Sequence, residues 1–182
     1  MGNVQPLLAL SRVIDAFNLR VGKYVSWLIL IVVLVSAANA SVRKIFDTSS
    51  NSWLELQWIL FSVVFLLCSP WTLLANEHIR IDIVSSRLPA RTRHTIDIVG
   101  HVVFLIPLCA LMIYEAWPYF WRSIASGEIS GNAGGLIRWP VKALIVVGFA
   151  LLLLQGLSEL IKRVAVRQGL IADPHATKSG SH

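Results

Sequence analysis

The chain has 182 residues, of which 55% are hydrophobic and only 14% are charged, and its formal net charge is +6. Soluble domains carry about 25% charged residues, so this composition excludes an ordinary soluble domain. The lysines and arginines lie between long apolar runs, a distribution that orients a membrane protein and argues against a nucleic-acid partner.

The first predicted element is an amphipathic helix over residues 1–22. Pro6 can open it, because the first residue of a helix needs no N–H donor. Apolar residues then recur at spacings of three and four: Leu7, Leu10, Ile14, Phe17 and Val21. The opposite side is largely polar: Ser11, Arg12, Asp15 and Asn18. This pattern predicts a helix too polar to span, which lies along the membrane surface or packs on a soluble partner.

Four apolar runs follow, and each is predicted to form a transmembrane helix. A helix of about 20 residues crosses the hydrocarbon core of a bilayer. With flanking residues included, the predicted spans are 24–41, 53–75, 96–120 and 140–161. The sequence therefore predicts an all-α integral membrane protein, with a four-helix membrane domain over residues 23–162 and a disordered tail over residues 163–182.

The end of the first run, Ala38-Asn39-Ala40, resembles a signal-peptidase site. A secretory signal normally has a short segment before its apolar run, whereas here the run begins only at Tyr24. We therefore expect the first span to be retained.

The distribution of lysine and arginine predicts the orientation. Eleven of these residues fall in the N-terminal segment, the connection between the second and third spans, and the tail, whereas five fall in the other two connections. Because cytoplasmic segments carry the excess of Lys and Arg, both termini are predicted to face the cytoplasm. Four tryptophans gather at the predicted outer interface: Trp53, Trp117, Trp121 and Trp139.

The sequence contains no phosphate-binding loop, nucleophile elbow or helical pair of metal-binding histidines. We therefore predict no enzymatic activity and no cofactor. His101 lies near the inner start of the third span, and we expect a hydrogen bond near Asp97, one turn earlier, rather than haem ligation. No acidic residue occupies the centre of a span, so the sequence does not predict an ion path through this chain alone.

One face of the fourth span carries Gly148, Leu152 and Gln155 at helical spacing. A glycine and a glutamine on one face are typical of helix–helix contact in lipid. The pattern leaves two alternatives open, which are packing within the bundle and contact with another membrane subunit.

Several motifs occur in a characteristic order along the chain. His78, Arg80 and Asp82 follow the second span, an outer loop carries Ser and Glu residues, Trp139-Pro140 opens the fourth span, and a Leu-Gln-Gly run ends at Gly156. The outer-loop residues are Ser123, Glu128 and Ser130. Over roughly residues 24–163, this order resembles the small membrane subunit, or Q component, of tripartite ATP-independent periplasmic (TRAP) transporters.

The resemblance implies a non-catalytic subunit of an ion-gradient-driven transporter for organic acids in a bacterial inner membrane. The implied partners are a large membrane subunit and a periplasmic binding protein. It also implies a structural or subunit-interface role for His78, Arg80 and Asp82. The residues to which it assigns a role in the periplasmic loop are Ser123, Glu128 and Ser130. The alternatives are a membrane anchor of a respiratory oxidoreductase that binds haem, and a small proton-coupled exporter.

Overall fold

A computed structural model of the chain describes residues 4–47, 51–75, 90–132 and 134–171. Within these ranges the α-helices are α1 (Val4–Ser26), α2 (Leu28–Phe46), α3 (Asn51–Leu74), α4 (Ala90–Gly100), α5 (Ile106–Ser126) and α6 (Trp139–Arg167). A π-helical segment, His101–Leu105, joins α4 to α5. Four stretches of helix in this part of the chain are long and apolar enough to cross a membrane. The predicted all-α membrane fold with four such stretches is confirmed.

The first of these stretches, Gln5–Phe46, combines α1 with α2, which are separated by a turn at Trp27. α1 lies against α3 and α6, whereas α2 contacts mainly α3. The polar side of α1 faces inward, where Ser11 and Asn18 are each 1% exposed, while Phe17 on the other side is 52% exposed. Such an inverted pattern suits a helix whose outer side contacts lipid.

This burial differs from what the amphipathic pattern of α1 led us to expect. A helix lying on the membrane surface directs its polar side to water, but in the structure this side finds hydrogen-bond partners on α6. The periodicity identified the polar side of α1 correctly and could not show which element would cover it. The position of α1 relative to the membrane surface stays a prediction.

α6 is the central helix of the bundle and lies against α1, α3 and α5. Three close approaches hold the helices together, each at a glycine. A Cβ atom added to Gly22 lies 2.7 Å from the Trp71 Cβ on α3, and one added to Gly148 lies 2.8 Å from the Leu66 Cβ. A Cβ atom added to Gly156 lies 2.8 Å from Leu105 in the π-helical segment. At Gly22 and Gly148 the helices therefore pack at distances that larger residues do not allow, whereas the neighbour of Gly156 is the flexible end of the Leu105 side chain.

The helices extend beyond the predicted spans at several ends, and α2 continues to Phe46. α5 continues to Ser126, and α6 continues to Arg167, so that residues 163–167, which were assigned to the tail, are helical. The predicted structural residues His78, Arg80 and Asp82 and the tail from residue 172 onward lie outside the described residues.

Candidate functional site

At one end of the bundle, the connection between α5 and α6 is an ordered loop. Gly127 ends α5 with φ +59°, a left-handed conformation that favours glycine. Ile129 and Ile137 then pair as an isolated antiparallel bridge, and the N–H of Ser130 donates to the carbonyl of Leu136 at 3.0 Å. The loop thus folds back on itself between the two helices.

Glu55, near the start of α3, fixes this loop from the side. Its carboxylate accepts hydrogen bonds from the Ser130 hydroxyl, from Asn132 Nδ2 at 2.6 Å and from the backbone N–H of Leu136 at 2.8 Å. The Ser52 hydroxyl donates to the carbonyl of Gly134. Two residues of α3 therefore hold the loop through four hydrogen bonds.

Glu128 joins the loop to the first turn of α6. Its carboxylate pairs with Lys142 and lies 3.9 Å from an Arg138 nitrogen, and the Lys142 ammonium lies 3.7 Å from the centre of the Tyr119 ring. The hydrogen bond from Lys142 is the main cause that holds the pKa of Glu128 below its usual range. Lys142 is only 6% exposed, and it lies near a helix N-terminus, where a positive charge is unfavourable. The Glu128 carboxylate and the Tyr119 ring stabilise its ammonium group there. We call Glu55, Glu128, Ser130, Asn132 and Lys142 the loop cluster.

A cavity of about 250 Å³ lies beside the loop cluster, between α3 and α6. Its apolar wall includes Trp58, Ile59 and Ile145, and Arg138 and Lys142 also line it. The arrangement places two cations against an apolar surface at the same end of the bundle as the loop.

At the other end of the bundle, hydrogen bonds join the polar side of α1 to α6. The Ser11 and Ser158 hydroxyl oxygens are 2.6 Å apart, and Asn18 Nδ2 donates to Gln155 Oε1 at 2.8 Å. Asp15 Oδ1 accepts from Gln155 Nε2 at 2.9 Å and from the Ser158 hydroxyl at 2.7 Å. Because Ser11, Asn18, Gln155 and Ser158 are buried, these bonds satisfy groups that would otherwise be costly to bury.

A lysine completes this network. Lys162 Nζ lies 2.9 Å from Asp15 Oδ2 and 2.5 Å from Glu159 Oε1, so one ammonium is shared by two carboxylates. We call Ser11, Asp15, Asn18, Gln155, Ser158, Glu159 and Lys162 the terminal cluster. Charges buried in a membrane bundle are normally paired in this way.

A second ion pair links α4 to the same part of α6. Arg163 Nη1 lies 3.3 Å from Asp97 Oδ2, and both side chains are largely buried. His101 Nδ1 donates to the backbone carbonyl of Asp97 at 2.7 Å, which is the contact that the sequence predicted. Since a carbonyl only accepts, this bond sets the proton on Nδ1.

The structure brings together the three predicted loop residues. Ser123 is buried at the end of α5, and its carbonyl accepts the N–H of Glu128 at 3.2 Å. The Ser130 hydroxyl donates to the Glu55 carboxylate, and Ser130 lies on the same arm of the loop as Glu128. All three residues therefore contribute to the ordered connection between α5 and α6.

The predicted face of the fourth span points into the bundle of this chain. Gly148 packs on Leu66 of α3, Gln155 is fully buried against α1, and Leu152 is half-buried between them. Of the two alternatives that the sequence left open, these contacts describe packing within the bundle.

Several functional residues were not singled out from the sequence. Glu55 and Lys162 were not named as candidates, and Asp15 was assigned only to the polar side of the predicted N-terminal helix. The available signal was a pair of polar stripes at helical spacing, Ser11–Asp15–Asn18 and Gln155–Ser158–Glu159–Lys162. Two such stripes on different helices indicate a buried polar contact, but a single sequence does not say that these two helices are neighbours.

Within residues 4–47, 51–75, 90–132 and 134–171, no group of three or more His, Cys, Asp or Glu side chains could hold a metal ion. The chain matches a protein-family model described as "Tripartite ATP-independent periplasmic transporters, DctQ component" over residues 30–166, more than half of its length. The match begins in α2 and ends just before the end of α6, so that α1 lies outside it. No curated protein matches the chain.

Proposed function

We propose a bracing role for this chain from the premise that it belongs to the DctQ-component family of tripartite ATP-independent periplasmic transporters. Members of this family are transporter components and not enzymes, so the chain is a small membrane subunit. In our proposal it braces the large membrane subunit and helps a periplasmic binding protein to dock. We further propose that the complete transporter uses an ion gradient to move organic acids across a bacterial inner membrane.

The observation that carries this proposal is how the buried polar side chains are used. The terminal cluster joins α1 to α6, and the loop cluster joins α3, the loop and α6. Buried ionisable groups in a membrane protein often mark an ion or substrate path. Here they form hydrogen bonds and ion pairs between helices of the same chain. Such contacts favour a subunit that keeps a fixed shape.

The loop supports the docking part of the proposal. Ile129 and Ile137 are 62% and 54% exposed, and Arg138 is exposed beside them. The loop cluster holds these side chains in place, so the loop presents a rigid apolar and basic surface. Such surfaces are typical of contacts with a second protein.

For the opposite side of the membrane, we keep the roles that the resemblance implies. In our proposal both termini are cytoplasmic, and His78, Arg80 and Asp82 anchor the connection between α3 and α4. Because the chain belongs to this family, the two alternatives of a respiratory anchor and a proton-coupled exporter are set aside.

Reconstitution tests the proposal directly. The binding protein encoded with the transporter is first screened against organic acids, because a ligand that binds the folded state raises its melting temperature. The identified acid is then offered to proteoliposomes that contain this chain, the large subunit, or both, with the binding protein outside and a sodium gradient across the bilayer.

We expect accumulation of the acid only when both membrane subunits and the binding protein are present. Proteoliposomes with a collapsed sodium gradient are the control for passive leakage. Accumulation by this chain alone, or undiminished uptake by the large subunit without it, would contradict the bracing role.

A further inference from the structure

An open groove of about 850 Å³ lies along α5, with one wall contributed by α6. Its lining includes Ile113, Tyr114, Trp117 and Pro118 of α5 and Leu153 of α6. Tyr114 and Trp117 are 75% and 56% exposed. The groove therefore presents a largely apolar surface, within a helix that is long enough to span the membrane.

Glu115 lies in this groove and differs from the other buried or membrane-facing carboxylates of the bundle. Asp15, Glu159 and Asp97 each lie within 3.3 Å of a lysine or arginine nitrogen. By contrast, Glu115 is exposed, and none of the residues that the structure describes forms a hydrogen bond or ion pair with its carboxylate. Ionisable side chains within transmembrane segments are normally paired, so this carboxylate is free to pair with a cation from outside the chain.

A second hydrogen-bond acceptor lies next to Glu115. Pro118 stands inside α5, and proline has no N–H to donate to the carbonyl four residues earlier, which belongs to Tyr114. The groove thus combines a carboxylate with a backbone carbonyl that lacks its usual helical donor. A side chain with several N–H donors and a positive charge could bind both.

We propose that this groove is the docking site for a transmembrane helix of the large membrane subunit, and that this helix carries a lysine or arginine opposite Glu115. The inference rests on the proposed function, in which the two subunits assemble. Charge complementarity favours a helix over lipid acyl chains, because acyl chains would fill the apolar walls and leave the carboxylate unpaired. One ion pair buried between helices is compatible with helix association in a bilayer.

Photocrosslinking in the complete complex tests the location. A photoreactive phenylalanine analogue replaces Tyr114, and the chain is co-expressed with its large subunit and irradiated in membranes. Tyr24 on α1, which is also 75% exposed, receives the same analogue as a matched control. We expect the Tyr114 position to capture a helix of the large subunit, in a yield several-fold above that at Tyr24.

Two substitutions test the charge. Glu115→Lys should reduce co-purification of the large subunit by about tenfold or more, since it opposes two cations in a desolvated contact. Glu115→Gln keeps the shape and should cause a smaller loss. Crosslinking identifies the lysine or arginine of the large subunit. Its replacement by glutamate should restore co-purification of the large subunit with the Glu115→Lys variant.

The outcomes separate this inference from the function on which it rests. Capture of lipid or of a second copy of this chain at Tyr114, while the wild-type subunits co-purify, would overturn the docking site and leave the proposed function standing. Co-purification of Glu115→Lys at the wild-type level would do the same. Failure of the wild-type subunits to co-purify would overturn the proposed function and this inference together.

Discussion

A single carboxylate, that of Glu55, holds the connection between α5 and α6 against α3. It accepts two side-chain hydrogen bonds, from Ser130 and Asn132, and one from the backbone N–H of Leu136. An ionised carboxylate suits this task because it only accepts hydrogen bonds and can accept several at once. Glu55 thus supplies three of the hydrogen bonds that join the loop to α3, and Ser52 supplies another.

This arrangement predicts the effect of Glu55→Gln. The glutamine amide keeps one acceptor oxygen but places an NH₂ donor where the carboxylate now accepts, and a donor facing the Leu136 N–H forms no bond. We expect amide hydrogen exchange in the loop to become several-fold faster, while exchange in the middle of α6 stays unchanged. Mass spectrometry of the protein in detergent measures both regions at once.

Glu115→Gln provides the matched control for Glu55→Gln. It removes the same charge from a residue whose carboxylate has no hydrogen bond to any described residue. Loop exchange should stay at the wild-type rate in this variant. Equal exchange rates in the Glu55 variant and the wild-type protein would show that the loop keeps its shape without the carboxylate.

At the same scale, the sequence located two of the five residues of the loop cluster. Glu128 and Ser130 were identified through the resemblance, and the structure brings them into one loop with Ser123. Glu55 was missed because it lies 75 residues from Ser130 in the chain, and its role depends on how α3 packs beside the loop. A single sequence gives no measure of that distance, so a residue that acts across two elements looks like an isolated charge.

Among the helices, the contact between α3 and α6 depends on close approach at Gly148. A Cβ atom added there lies 2.8 Å from the Leu66 Cβ and 3.3 Å from the Leu66 carbonyl oxygen. Neither atom is the end of a flexible side chain, so the helices must separate to accept it. Gly148→Ala should therefore lower the stability of the bundle by about 1–3 kcal/mol through overpacking.

Gly100→Ala is the control for this change. Gly100 is also helical, but a Cβ atom added to it meets nothing within 4 Å. It should raise stability by up to about 1 kcal/mol, because alanine loses less backbone entropy than glycine in a helix. Melting temperatures in detergent measure both variants. A Gly148→Ala protein as stable as Gly100→Ala would show that α3 and α6 can move apart at little cost.

The helices illustrate what hydrophobic patterning can and cannot predict. The apolar runs located the four membrane-spanning stretches, since their length and lack of charge decide the matter. The ends were less well placed: α6 continues to Arg167, and Arg163 in this extension pairs with Asp97 on another helix. The burial of the polar side of α1 likewise depends on α6. Both differences involve contacts between helices, and the periodicity along one helix carries no information about such contacts.

On the scale of the whole molecule, the bundle has two polar ends separated by an apolar middle. The loop cluster occupies one end, and the terminal cluster, with the Arg163–Asp97 pair, occupies the other. The family match covers residues 30–166, so α1 is joined to the matched part chiefly through the terminal cluster and the contact with α3. The terminal cluster therefore fixes the position of α1, which precedes the residues that match the family, against the rest of the bundle.

The orientation of this bundle is our last prediction. Eleven of the 16 lysines and arginines lie in the segments that we assign to the cytoplasm, and five lie on the other side. Because such an excess keeps a segment in the cytoplasm, we expect the loop to face the periplasm and the end of α6 to face the cytoplasm. With Cys68 and Cys109 replaced by alanine, single cysteines at Gly131 and Gln168 report the two ends.

These two positions give a sharp test, because both are exposed and they lie beyond opposite ends of α6. A helix of 29 residues is about 44 Å long, which exceeds the thickness of a bilayer core. If α6 spans the membrane, the two cysteines therefore cannot both be reached from one side. A membrane-impermeant maleimide added to intact spheroplasts should label Gly131→Cys and not Gln168→Cys, and inverted vesicles should give the reverse. The opposite labelling pattern would show that the charge excess does not set the orientation, and labelling of both positions from one side would show that α6 does not span.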